Sequence, residues 1–109
     1  MAYDEKLAER VRQTLAERTD FREQKMFGGI AFMVQGNMCC GVISEDVLLR
    51  IGPEQHEDAL SQPFVKPMEF TGRSMRGFVF LGPGGYGSAE ELARWVDKAL
   101  AFVLTLPAK

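Results

Sequence analysis

The sequence predicts an α+β fold, a two-layer sandwich in which an antiparallel sheet of about five strands carries helices mainly on one face. Three observations lead there. The apolar pattern runs in the order helix, three or four strands, helix, two strands, helix, an α-β-β-β-α-β-β-α chain. The links between the early strands are too short for a parallel crossover, so those strands pair antiparallel. A chain of 109 residues suits one domain with one core, and no repeat, linker or low-complexity segment divides 1–109.

The first helix is expected from about Asp4 to Arg18. Asp4 suits the N-cap, and Leu7, Val11 and Leu15 repeat every turn as one apolar stripe. A strand starts near Glu23, ahead of a kink at Gly28-Gly29. Next comes a hairpin whose turn reads as Gly36-Asn37, a two-residue connection of type II′. In its arms Ile30, Phe32 and Val34 alternate with Ala31 and Met33, and Met38, Cys40 and Val42 alternate with Cys39, Gly41 and Ile43. Both sides are apolar or small, so both are expected to lie against something.

Val47 to Ile51 reads as the next strand. Gly52-Pro53 opens a short helix with acidic residues near its start and Pro63 after its end. An edge strand is expected over Lys66 to Phe70 and another strand over Arg76 to Leu81. The last helix starts with a capping box, Ser88 and Glu91, and carries Leu92, Trp95, Val96, Ala99 and Val103 as its buried stripe.

Composition narrows the function classes. A formal charge of −2 disfavours direct nucleic-acid binding, which usually shows a basic surplus. The start of the chain runs into charge, not into an apolar leader, and the most apolar run, Ala99 to Leu106, is too short to span a bilayer. With two adjacent cysteines on opposite sides of a strand and no ordinary disulfide between them, the expected home is the cytoplasm. The excess of apolar surface points to a homodimer interface; the competing reading is a short chain folded over itself with both sheet faces covered.

Met26-Phe27-Gly28-Gly29-Ile30-Ala31-Phe32-Met33 and Gly36-Asn37-Met38-Cys39-Cys40-Gly41-Val42 carry a family resemblance. It continues through Leu49-Arg50-Ile51-Gly52-Pro53 and Pro67-Met68-Glu69-Phe70-Thr71-Gly72-Arg73-Ser74-Met75-Arg76-Gly77, and reaches Trp95-Val96 and Leu106-Pro107. Over essentially its whole length the chain resembles the N-terminal domain of the TfoX/Sxy family. The resemblance implies a sandwich of the type shared with secretion chaperones. It also implies a regulator of competence genes that acts through a transcription factor and is not an enzyme. Full-length regulators carry a second, helical domain, so the expectation here is a standalone N-terminal domain.

Four features invite a chemical reading. Gly82-Pro83-Gly84-Gly85-Tyr86-Gly87 satisfies G-x-G-x-x-G between a strand and a helix. No second parallel strand can follow to bring an acid to a ribose, and Pro83 removes a backbone donor, so a plain connection is preferred. Cys39 and Cys40 suggest a thiol nucleophile, a redox pair or metal ligands. Zinc needs at least three protein ligands and the lone histidine sits on another element, so two small packed residues are preferred, one on each face. Cys39 shares its expected face with Gly41, which would leave it room and exposure.

His56, between Gln55 and Glu57, reads as an exposed surface histidine. The remaining candidates are basic: Arg50, Lys66, Arg73 and Arg76. Arg50 interrupts an apolar strand, and Arg73 and Arg76 flank a turn where guanidinium groups can converge on a carboxylate or phosphate. Against this stands internal ion pairing, for example to Glu69 or Asp46.

Two function classes follow. The first is a cytoplasmic, non-enzymatic regulatory or adaptor domain that binds a protein partner, a transcription factor or a second copy of itself. The alternative is a small-ligand or anion-binding protein, or an enzyme, that uses Arg50, Arg73 and Arg76 with a Cys39 thiol. No cofactor, metal or catalytic set is assigned.

Overall fold

Asp4 caps the first helix as its position predicts, its carboxylate accepting the backbone N–H groups of Lys6 at 2.9 Å and Leu7 at 3.1 Å. The structure is a computed structural model that describes residues 3–26, 28–70 and 73–109; the side chains of residues 69, 70, 73 and 74 are outside the description. Helix α1 spans Glu5–Ala16, and its stripe of Leu7, Val11 and Leu15 is buried together with Ala8. Strands β1 (Arg22–Met26), β2 (Gly29–Val34), β3 (Asn37–Ile43) and β4 (Asp46–Arg50) follow in succession. A 3-10 turn at Pro53–Gln55 leads into α2 (His56–Leu60), then β5 (Val65–Phe70) and β6 (Arg73–Leu81). A second 3-10 turn at Pro83–Gly85 precedes α3 (Ala89–Val103).

The capping box of α3 forms as expected: Ser88 Oγ accepts the Glu91 N–H and Glu91 Oε1 accepts the Ser88 N–H, both at 3.1 Å. Each end of the reciprocal pair satisfies a donor that the first helical turn would otherwise leave open.

All six strands form one antiparallel sheet in the order β1-β2-β3-β4-β6-β5. The count is six against the expected five or so, and the strand expected to start near Glu23 is the highly charged β1. One row of register partners runs Ile30–Val42–Val47–Leu81–Val65, and the next runs Phe32–Cys40–Leu49–Val79. These residues pack with Val11, Leu15, Leu92, Val96, Ala99 and Val103 into the core. The buried residues of all three helices apart from His56 belong to this cluster, so the helices lie on one face of the sheet.

The hairpin turn is displaced by one residue from the expected Gly36-Asn37. The central pair is Gln35 and Gly36, both with positive φ (53° and 82°), the signature of a type I′ turn, and Asn37 pairs with Val34. Outside the turn, Asn37 anchors the tail of the chain. Its side-chain N–H donates to the Pro107 carbonyl at 2.9 Å, while the Lys109 N–H donates to the Gln35 carbonyl at 2.8 Å. The tail thus lies across the turn, and a side chain on Gly36 would press into Lys109.

A second departure lies just beyond. Met33 pairs with Met38 but Phe32 pairs with Cys40, which leaves Cys39 as an extra residue in β3. This β-bulge resets the alternation. Cys39 and Cys40 are not split between the faces; both are fully buried in the same helix-side core.

Candidate functional site

The face of the sheet turned away from the helices has its own composition. A row of register partners crosses it as Gln24–Ala31–Gly41–Leu48–Phe80–Lys66. Met33 and Met38 form a neighbouring pair, and Arg50 pairs with Phe78. Leu48 and Ala31 are buried at its centre although neither belongs to the helix-side core. Met33, Met38, Ile43, Phe78 and Phe80 are half-buried, and none packs against that core. Among the described residues no helix covers this side. The sheet therefore presents an apolar, methionine-rich surface, as the two-sided apolar strands suggest.

The arginines do not gather on a pocket. The Arg50 guanidinium lies over the rings of Phe78, 5.3 Å from the centroid, and Phe102, 5.9 Å away. This explains a charge in an apolar strand: two aromatic faces take the place of a counter-ion. Arg76 is exposed and faces Glu57 on α2 at 3.5 Å, and Lys66 pairs with Asp46 at 3.1 Å. The side chain of Arg73, like that of the expected partner Glu69, lies outside the described residues. Four surface hollows stand out among the described residues, and Arg50, Arg76 and Cys39 line none of them.

The exposure expected for Cys39 is not found, because the bulge turns it into the core and not toward Gly41. The two thiols are neighbours. Hydrogen bonding to Cys39 and then burial push the Cys40 thiol well above the ordinary thiol range, so it is held as an unreactive SH. Both cysteines are free.

His56 is a further correction. It is buried, and its Nδ1 accepts the Gly77 N–H at 3.0 Å. Its acidic neighbours Glu57 and Asp58 are exposed, while the one position between Gln55 and Glu57 turns inward. The Gly82–Gly87 segment also resolves into packing. Gly84 lies close under the Phe64 ring and Gly85 against the Leu81 side chain, so a Cβ at either place would have to displace its neighbour. Its sheet holds only antiparallel neighbours, so the dinucleotide-binding context is missing.

Tyr86 joins this loop to the rest of the molecule. Its hydroxyl donates to the Glu45 carbonyl at 2.5 Å, and Arg10 donates to its carbonyl at 2.7 Å while stacking 5.5 Å from the ring centroid. Burial, then the carboxylates of Asp4, Glu45 and Asp46, raise its phenol above the ordinary range.

Two residues that sequence reasoning does not single out as functional stand at a hollow beside α3. Phe64 is 59% exposed with a left-handed backbone (φ 67°), and Trp95, expected in the buried stripe, sits on its shoulder, partly open. The signal for Trp95 lies in its spacing, since Leu92, Val96, Ala99 and Val103 define the inward stripe without it.

Among the described residues no group of three or more His, Cys, Asp or Glu side chains is placed to hold a metal ion, and no helix is long and apolar enough to cross a membrane. Comparison with curated proteins and with solved structures gave no match. A family model, the TfoX N-terminal domain, matches residues 13–103, which takes in the sheet, its bulge, the arginine positions and the whole of α3. The chain belongs to the TfoX N-terminal domain family.

Proposed function

We propose that this domain is a non-enzymatic, cytoplasmic regulatory adaptor that works through protein–protein contacts in transcription control of the competence type. The observation that carries the reading is the helix-free sheet face, with Met33, Met38, Ile43, Phe78 and Phe80 half-buried around Leu48. Polarizable, unbranched methionines suit a surface that adapts to a partner. The residues with chemical potential support the same reading: Cys39, Cys40 and His56 are engaged in packing and hydrogen bonding, and Arg50 in ring stacking. The occupant of the face is a transcription factor or a second copy of the chain.

Affinity capture from native lysate tests this, with Met33→Glu as the control. Wild-type protein should enrich a transcription factor or polymerase subunit that the variant loses; equal background from both counts against the adaptor role. Sedimentation at micromolar concentration addresses the second copy. A dimer that Met33→Glu converts to monomer supports it, and a clean wild-type monomer removes it.

A further inference from the structure

A second surface, remote from the sheet face in character, runs along the outer side of α3. It consists of two hollows that share Gln55. The first, about 310 Å3, is walled by Phe64 and Trp95; the second, about 370 Å3, by Pro53 and Phe102. The opposite wall is the stretch from Pro53 through α2, so the hollows lie along one groove. Trp95 and Phe102 stand two helical turns apart on the same side of α3, and from Glu91 to Phe102 the helix rises about 16 Å.

Three features of this groove exceed what packing requires. Phe64 is one of only two large apolar side chains left well exposed among the described residues. It is also held at a left-handed backbone angle (φ 67°) that a non-glycine residue adopts only at a cost. The conformation is fixed by the Gly82 N–H, which donates to the Phe64 carbonyl at 2.7 Å, and it leaves the ring at the mouth of the first hollow.

The walls have opposite sign. On the α3 side Arg94 and Lys98 line the first hollow together with Glu91, whose carboxylate is taken up by the Ser88 N–H in the capping box; on the opposite side stand Asp58 of α2 and Glu54 of the 3-10 turn before it. None of Arg94, Lys98, Asp58 and Glu54 forms an ion pair among the described residues; the Lys98 ammonium instead rests 5.8 Å from the Trp95 ring centroid. Charges left open on both rims of an aromatic groove are a pattern for orienting a charged partner.

We infer that this groove docks an amphipathic helix of a protein partner. The docked helix places apolar side chains two turns apart in the hollows at Trp95 and Phe102. It carries an acidic flank toward Arg94 and Lys98 and a basic flank toward Glu54 and Asp58. The groove adjoins the sheet face at Arg50, whose guanidinium lies over both Phe78 and Phe102, yet its hollows are lined by other residues and either surface can act without the other.

The chain has one tryptophan, and it sits in the groove, so Trp95 emission reports occupancy directly. The probes are synthetic helical peptides of about 18 residues with leucine at two-turn spacing. One carries Glu on one flank and Lys on the other, a second Lys on both flanks, a third Glu on both. The mixed peptide should shift Trp95 emission and bind about tenfold more tightly than either single-sign peptide. In the double variant Arg94→Glu/Lys98→Glu, checked for folding by circular dichroism, the preference should pass to the all-Lys peptide. The inference is overturned if no peptide changes the emission, or if the ranking is the same in the double variant. Met33→Glu should keep the wild-type ranking; loss of binding there would place the peptide on the sheet face and overturn the groove while leaving the adaptor role intact.

Discussion

The imidazole of His56 and the backbone of Gly77 are joined by a buried hydrogen bond of 3.0 Å, the Gly77 N–H donating to Nδ1. Gly77 has φ 94°, and its carbonyl accepts the N–H groups of Ile51 at 2.9 Å and Gly52 at 3.2 Å. One glycine thus ties the end of β4, the bend in β6 and the start of α2. His56→Ala leaves a buried donor unpaired and should cost about 1–3 kcal/mol. His56→Asn, whose Oδ1 can stand near the place of Nδ1, should recover part of it. Urea unfolding midpoints of the two variants check this, and equal losses would mean that Oδ1 does not take over the Gly77 N–H from Nδ1.

The vicinal thiols should be silent in the folded protein. Cys39 and Cys40 are fully buried, and the Cys40 thiol is held protonated by its neighbour and by burial. An aromatic disulfide reagent at neutral pH should release no colour from native protein and titrate both thiols once denaturant is added. Rapid reaction of the native chain would show that the bulge opens.

Tyr86 should give stability an alkaline limit. Its folded phenol sits above the unfolded value of about 10, so the folded state holds a proton that the unfolded state gives up. The associated stability is present below that pH and falls as pH rises through the folded value. Tyr86→Phe removes this slope and, by leaving the Glu45 carbonyl without its 2.5 Å donor, should lower stability at neutral pH by about 1–2 kcal/mol. Chemical unfolding of both proteins across the alkaline range separates the two effects.

Phe64 should trade stability for binding. Phe64→Gly relieves the left-handed strain and gives up a ring that is already 59% exposed, so the variant should match wild type or exceed it by up to about 1 kcal/mol. A large thermal destabilisation would show that the packing of the ring over Gly84 outweighs the strain.

Local signals are legible in the sequence because their causes are local. Asp4 and the Ser88–Glu91 pair act on backbone groups within their own first turns, so their roles follow from spacing. The turn falls one residue away from its expected place, with Gln35 at a positive φ that a Gly-Asn pair is better suited to hold. Tail bonding at Gln35 and Asn37, from the far end of the chain, accompanies that choice. The bulge at Cys39 is a property of two strands together, two residues opposite one, and no single strand announces it. His56 reads as exposed from its polar neighbours, yet a short helix turns one of its positions inward, and its partner is a backbone amide in another strand. Arg50 stands out in the sequence as misplaced, but its remedy, the rings of Phe78 and Phe102, comes from β6 and α3.

The two borders of the sheet determine what kind of association its bare face permits. The outer strand β1 reads Arg-Glu-Gln-Lys-Met, a row of charges that discourages another strand from docking alongside, and β5 at the other border holds Pro67, which has no N–H to offer. Growth by strand addition, the route to fibres, is therefore guarded at both ends. Contact through the face remains open. Two copies that meet face to face through that surface close on themselves as a pair.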